Sequence, residues 1–346
     1  MPALTDFKRI AIIQTAFIGD VALALYLAEA VRRLHPAAHI GFLTTPVSAP
    51  LVGCAAAVDE VMVFDKRKSQ SGLRGMIDVA RMLSEYDCVL SAHRSARTSA
   101  VVALARPAYS VGFRTASGAW TGLPYKARVA DRRELHEAER VAQLLRTFDG
   151  VPTTMIEHAP QPVIHIPEAA QSAASELLQE NAIPLKTPFV AIAPGSVWPT
   201  KRWREEHCAT LLATLYERGL QTVLVGGPDD VALCERLSKT ASTPTLAGKT
   251  SLPVMMSVLQ RASVLVCNDS APVHLANLVG CRVVAVFGPT VPAFGFAPRG
   301  VADAVVQADG LTCRPCSPHG TAACPLGTHE CMWRVESERV VQALEG

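Results

Sequence analysis

A carboxylate set between a strand and a helix can act as a general base, and this chain offers one early. Asp20 follows the apolar run RIAIIQ (9–14) and the stretch TAFIG, and stands at the head of a helical run over 21–34. There it either overhangs a ligand crevice at a strand's carboxyl end or only complements a helix dipole. A second carboxylate, Asp269, has a matching place. The stretch VLVCNDSAPVHLANLVGCRVVAVFGPT (264–290) reads as strand, polar turn, short helix and strand. That is a βαβ unit, so its two strands are expected to be parallel. Ser270 is a candidate N-cap, Pro272 falls in the first turn where a missing N–H costs least, His274 follows it, and Gly280 ends the helix. Free N–H groups at such a helix start attract anions. An Asp beside a phosphate would be repelled, so Asp269 is expected to hold backbone N–H groups or sugar hydroxyls. The alternative is that Asp269 and Ser270 are only a turn and a cap.

Other polar residues recur at strand ends. The strand FVAIA runs into Pro194-Gly195-Ser196 and then WPTKRW, where Lys201 is a mobile point charge suited to a diphosphate. Trp198 and Trp203 either flank a site or simply pack. The strand QTVLV ends in Gly226-Gly227, where backbone can approach a ligand closely. After DCVLS, the segment HRSARTSA places Arg94 and Arg97 at a helix start, as an anion clamp or a solvated terminus. The tail spaces Cys313, Cys316, Cys324 and Cys331 as Cys-x2-Cys-x7-Cys-x6-Cys. Four thiols suit tetrahedral zinc, but a lone Cys-x-x-Cys pair equally suits reduced packing or redox-labile cysteines.

The elements that must position these residues alternate. Strands RIAIIQ, HIGFLT, VMVF, DCVLS and YSVGF are separated by helical stretches over 21–34, 46–54 and 71–85, the pattern of a parallel sheet covered on both faces. An amphipathic helix with His136 and Arg140 on one face is expected over 134–148, after a Gly-, Ser- and aromatic-rich loop over 115–125. Proline-rich sequence near 160–187 separates a second strand–helix series. It comprises the strands named above, a strand at 245–247, helices over 204–218, 231–239 and 252–261, and a last helix over 335–344.

At 346 residues, the chain can build two cores. Its 49% hydrophobic and 18% charged residues exclude disorder, and no apolar run reaches membrane-span length. The basic, apolar start mimics a signal peptide, but Gly19-Asp20 interrupts it, so a cytoplasmic protein is expected. Residues 1–150 carry 19 Lys and Arg against 14 Asp and Glu, a basic balance suited to an anionic partner or membrane surface. Six further cysteines lie singly in hydrophobic segments, as in cytosolic proteins.

Taken together, IIQTAFIGDVALALYLAEAVRRLHP, HRSARTSA followed by VGF, PGSVWPTKRW, VLVGGP, CNDSAPVHLANLVG with VFGPT, and CPLGTHECM resemble the bacterial lipopolysaccharide heptosyltransferases of glycosyltransferase family 9, most closely the heptosyltransferase II-like branch. The resemblance implies an α/β chain of GT-B fold, two Rossmann-like doubly wound domains facing across a cleft. An acceptor domain is expected over 1–165, a linker over 166–187, a nucleotide-sugar domain over 188–332, and a terminal helix over 333–346 packing back on the first domain. It implies inverting transfer of heptose from ADP-L-glycero-D-manno-heptose to the lipopolysaccharide inner core, with no metal needed for the chemistry and no nucleic-acid partner. The place of action would be the cytoplasmic face of the inner membrane.

Carried onto this chain, Asp20 matches the catalytic base, Lys201 the diphosphate lysine, and Asp269 and His274 the donor-site pair. Ser196, Gly226, Gly227 and Ser270 complete the expected donor contacts, and Arg94 and Arg97 the acceptor side. Ala271 stands where the family often has Gly, and Ala16-Phe17 where Ser commonly precedes the hydrophobic-Gly-Asp. Three rivals remain: transfer from another nucleotide sugar, a nucleotide-sugar epimerase, and a non-catalytic glycolipid-binding protein at the membrane surface, for which Asp20 would be dispensable.

Overall fold

The computed structural model describes residues 1–114 and 124–346 and divides into two compact units, 1–165 and 166–346. Most of the loop expected over 115–125 lies outside the described residues.

In the first unit, β1 (Arg9–Ile13), β2 (His39–Thr44), β3 (Glu60–Val63), β4 (Cys88–Ser91), β5 (Tyr109–Arg114) and β6 (Ala127–Ala130) form one sheet. Its order is β3-β2-β1-β4-β5-β6, and all pairings are parallel. The chain turns from one half of the sheet to the other between β1 and β4. The carboxyl ends of those two strands therefore flank the crevice where such sheets take ligands. β1 is buried along Ile10–Ile13, as a central parallel strand must be. The apolar stretch that mimics a signal peptide is the helix Ile18–Leu34, buried from Val21 to Val31. The amphipathic helix expected over 134–148 is shorter: Glu137–Ala142 is α-helical and Gln143–Thr147 is 3-10, with His136 as N-cap accepting from the Ala138 N–H.

In the second unit, β7 (Phe189–Ala193), β8 (Gln221–Leu224), β9 (Val264–Asn268), β10 (Arg282–Phe287) and β11 (Ala304–Gln307) order as β11-β10-β9-β7-β8, again all parallel. The βαβ reading of 264–290 holds: β9 and β10 pair in parallel around the helix Ala271–Leu278. Here the switch falls between β7 and β9. The strand expected at 245–247 is a single bridge from Thr245 to Leu224.

Two boundaries differ from expectation. The helix Glu168–Glu180, assigned to the linker, belongs to the second unit: it packs on the helix Leu252–Arg261, and Arg261 donates to Ser175 Oγ at 2.7 Å and the Gln171 carbonyl at 3.2 Å. The final helix, Ser337–Glu345, lays Val340 and Val341 into the second unit's core beside Leu211 and Val284. It was expected on the first domain; its apolar stripe instead covers β10, β11 and the helix Glu205–Glu217. No described helix is long and apolar enough to cross a membrane.

Candidate active site

Apart from Gly226 and Gly227, which follow the edge strand β8, the sequence-derived candidates fall at the switch points. In the first unit, Asp20 occupies the first turn of the helix after β1, and His93, Arg94 and Arg97 follow β4, the neighbouring strand. The Asp20 carboxyl is pushed up to about 6, chiefly by burial and then by the negative charge of Glu137. Backbone hydrogen bonding at Phe17 and the charge of Arg94 oppose the rise. A carboxylate near 6 is a stronger proton acceptor than an exposed Asp, as a general base requires.

Glu137 and Arg94, whose charges act on Asp20, belong to one ionic cluster. Arg94 meets Glu137 at 2.8 Å and Asp131 at 3.1 Å, and its guanidinium lies over the Phe113 ring, 4.1 Å from the centroid. Glu137, fully buried, meets Arg140 with its other oxygen at 2.6 Å. Arg94, expected to clamp an acceptor anion, is thus committed to two carboxylates and an aromatic face. Arg97 is exposed and donates a long bond, 3.4 Å, to the Lys66 carbonyl.

Sequence reading missed Lys66. Its ammonium donates to the Thr15 carbonyl at 2.6 Å, just before Asp20, and burial with Arg67 and Arg97 lowers its pKa. The Lys-Arg-Lys run at 66–68 after β3 was the available signal. His93 lies 3.0 Å from Thr15 Oγ1 and 2.7 Å from Thr98 Oγ1 through Nδ1. Burial, Lys66 and Arg94 push its pKa down to about 4, so the ring is neutral at pH 7. A raised carboxyl beside cationic side chains suits deprotonating a hydroxyl on an anionic molecule.

In the second unit, Lys201 and Asp269 meet at 2.6 Å, and the same Asp269 oxygen accepts from Thr290 Oγ1 at 2.6 Å. Asp269 therefore orients an ammonium and takes a hydroxyl of this chain, where backbone N–H groups or sugar hydroxyls were the expectation. Lys201 follows β7 and Asp269 follows β9, adjacent strands. Asn268 ties the two strand ends together: it donates to the Pro194 and Gly195 carbonyls at 2.8 and 3.1 Å and accepts the Trp203 N–H at 2.8 Å. Neither Asn268 nor Thr290 was singled out from sequence, because their partners are set by strand order.

Ser270 stands at the N-cap position but turns its hydroxyl to the Asn268 carbonyl, 3.3 Å away, and makes no side-chain cap bond. His274 is buried, its ring 6.2 Å from that of Phe296. Ser196 is buried and its carbonyl accepts from Arg202. Trp203 packs in the core and donates to the Val335 carbonyl at 2.7 Å, so of its two readings packing is the one seen.

Gly195 and Gly226 have a steric reason, since a Cβ on either would press on Asp230. Asp230 accepts the Gly227 N–H at 3.0 Å, and a Cβ on Gly195 would lie 1.9 Å from Asp230 Oδ1. Gly195→Ala is expected to displace Asp230 and cost about 1–3 kcal/mol, an overpacking penalty, checked by urea unfolding. A variant as stable as the parent would show that Asp230 swings aside freely.

Among the described residues, no three His, Cys, Asp or Glu side chains are grouped to hold a metal ion, Cys313, Cys316, Cys324 and Cys331 included. All four cysteines are free thiols.

Two doubly wound, all-parallel α/β units of this kind are the GT-B fold of glycosyltransferases. The family profile for glycosyltransferase family 9 (heptosyltransferase) matches residues 78–325, and the chain belongs to that family. It is 24% identical over 297 residues to lipopolysaccharide heptosyltransferase 2 of Salmonella typhimurium, covering 83% of this chain and 84% of the relative. Its fold is that of a family 9 glycosyltransferase from Veillonella parvula (TM-score 0.86, 23% identity, covering 98% and 96% of the two chains). It is also that of E. coli heptosyltransferase WaaC, solved with ADP-2-deoxy-2-fluoro heptose (TM-score 0.71, 21% identity, 97% and 99%).

Proposed function

We propose that this glycosyltransferase transfers heptose from ADP-L-glycero-D-manno-heptose to the lipopolysaccharide inner core, with inversion, at the cytoplasmic face of the inner membrane. The observation that carries the reading is Asp20: a carboxyl pushed up to about 6 at the switch point of the first sheet. The ADP-heptose analogue bound to WaaC supports the donor, and the lipopolysaccharide in the name of the Salmonella heptosyltransferase supports the acceptor. The basic balance of the first 150 residues suits an anionic acceptor at a membrane surface.

The first unit binds the acceptor, and Asp20 takes the proton of the attacking hydroxyl. That oxygen bonds to the anomeric carbon as the bond from that carbon to the phosphate oxygen breaks, through an oxocarbenium-like transition state. ADP leaves with the bonding pair. Lys201, held by Asp269, and the N–H groups at the start of the helix Ala271–Leu278 receive the growing charge. Ser196, Gly226, Gly227, Ser270 and His274 line the donor side, and Arg97 with Lys66 the acceptor side. No step is assigned to a metal ion.

The pH dependence tests the base. Asp20 works ionised, so transfer should rise as pH passes upward through about 6. Arg94 lowers this pKa, so Arg94→Gln should move the acid limb to higher pH. Initial rates from pH 5 to 9 measure both. A limb that stays in place in the variant would contradict the assignment.

A further inference from the structure

The reaction above makes no use of residues 313–332, yet these residues grip the turn that carries Lys201. Pro199–Lys201 is one turn of 3-10 helix. So short a turn cannot by itself hold a long, entropically costly side chain in one place. The tail supplies the hold through Thr200. Thr200 Oγ1 donates to the Thr321 carbonyl at 2.8 Å and accepts the Thr321 N–H at 2.8 Å, and the Thr200 N–H reaches the same carbonyl at 3.3 Å. His329 Nε2 lies 2.7 Å from the Thr200 carbonyl oxygen. A carbonyl only accepts, so Nε2 carries the proton and donates. Gly320, at φ +87°, lies so close that a Cβ there would stand 3.0 Å from Lys201 Cγ and from Trp198 Cβ.

His329 is itself held. Its N–H donates to Cys324 Sγ at 3.4 Å, and its backbone is left-handed at φ 51°. It caps the helix Glu330–Trp333, whose Met332 is fully buried in the second unit's core. An unbroken path of contacts thus runs from Cys324 through His329 and Thr200 to Lys201 and Asp269.

We propose that His329 is a positioning residue for Lys201: by fixing the Thr200 carbonyl it holds the Lys201 ammonium at Asp269, where a nucleoside diphosphate is met. This rests on Lys201 being the diphosphate lysine.

The test is a double-mutant cycle read by calorimetric titration with ADP. His329→Ala is expected to weaken ADP binding about tenfold, the effect of one hydrogen bond. His329→Gln, which keeps an N–H donor, should recover most of it. In a Lys201→Ala background, His329→Ala should cost nothing further. Thr200→Val keeps the shape, loses both Oγ1 bonds, and should show the same coupling to Lys201; it carries the cycle if His329→Ala does not fold. Losses equal in both backgrounds, or ADP binding untouched by either variant, would overturn the inference alone. A parent chain that does not bind ADP, or a Lys201→Ala variant that binds as tightly as the parent, would overturn the donor-site reading and the inference with it.

Discussion

Asp20→Asn is expected to lower transfer by about 10²–10⁴-fold, the usual loss when a positioned base is removed, while leaving ADP binding unchanged. The substitution keeps the shape of the side chain and removes its capacity to take a proton. A second consequence follows from the same raised pKa. The folded chain disfavours the ionised carboxyl, since its pKa lies near 6 against 3.8 for the free group. The stability contributed by this group is therefore full below pH 3.8 and is lost as pH rises through about 6. At pH 8 the parent bears that cost and the Asn variant does not. The variant should melt at or above the parent temperature at pH 8, with the gap closing on acidification. A variant that loses activity and also melts lower would mean that Asp20 is a structural carboxylate, and its activity loss would then say nothing about proton transfer.

Lys201→Ala should be nearly as damaging. Removing one donor aimed at developing negative charge costs about 10²–10³ in kcat. ADP affinity should fall as well, because the ammonium meets the diphosphate before the reaction as well as during it. The variant also leaves Asp269, only 5% exposed, without its cation. That bare carboxylate would then repel the diphosphate. Lys201→Ala with Asp269→Asn should therefore bind ADP more tightly than Lys201→Ala alone, which titration calorimetry would show. If the double variant binds no better, the negative charge of Asp269 does not face the ligand.

Much of this was readable before the fold was known. Asp20, Lys201 and Asp269 each follow an apolar run broken by a polar turn, and in a parallel α/β sheet that break is where ligands sit. The pairing of Lys201 with Asp269 was not readable, because it depends on β7 lying beside β9. The commitment of Arg94 to Asp131 and Glu137 was hidden for the same reason: distant segments meet only once β4, β5 and β6 are laid side by side. β6 and β11 escaped notice as four-residue edge strands paired on one side only. The last helix was legible as a helix but its partner was not, since an apolar stripe states that it must be covered and not by what.

The most direct test of heptosyl transfer is product mass with ADP-L-glycero-D-manno-heptose and a mono-heptosylated core acceptor, with ADP release followed in the same reaction. The acceptor should gain the mass of one heptose residue for each ADP released, with no ADP released when the acceptor is left out. Release of ADP that does not depend on acceptor, or transfer of a sugar only from a different nucleotide donor, would contradict it.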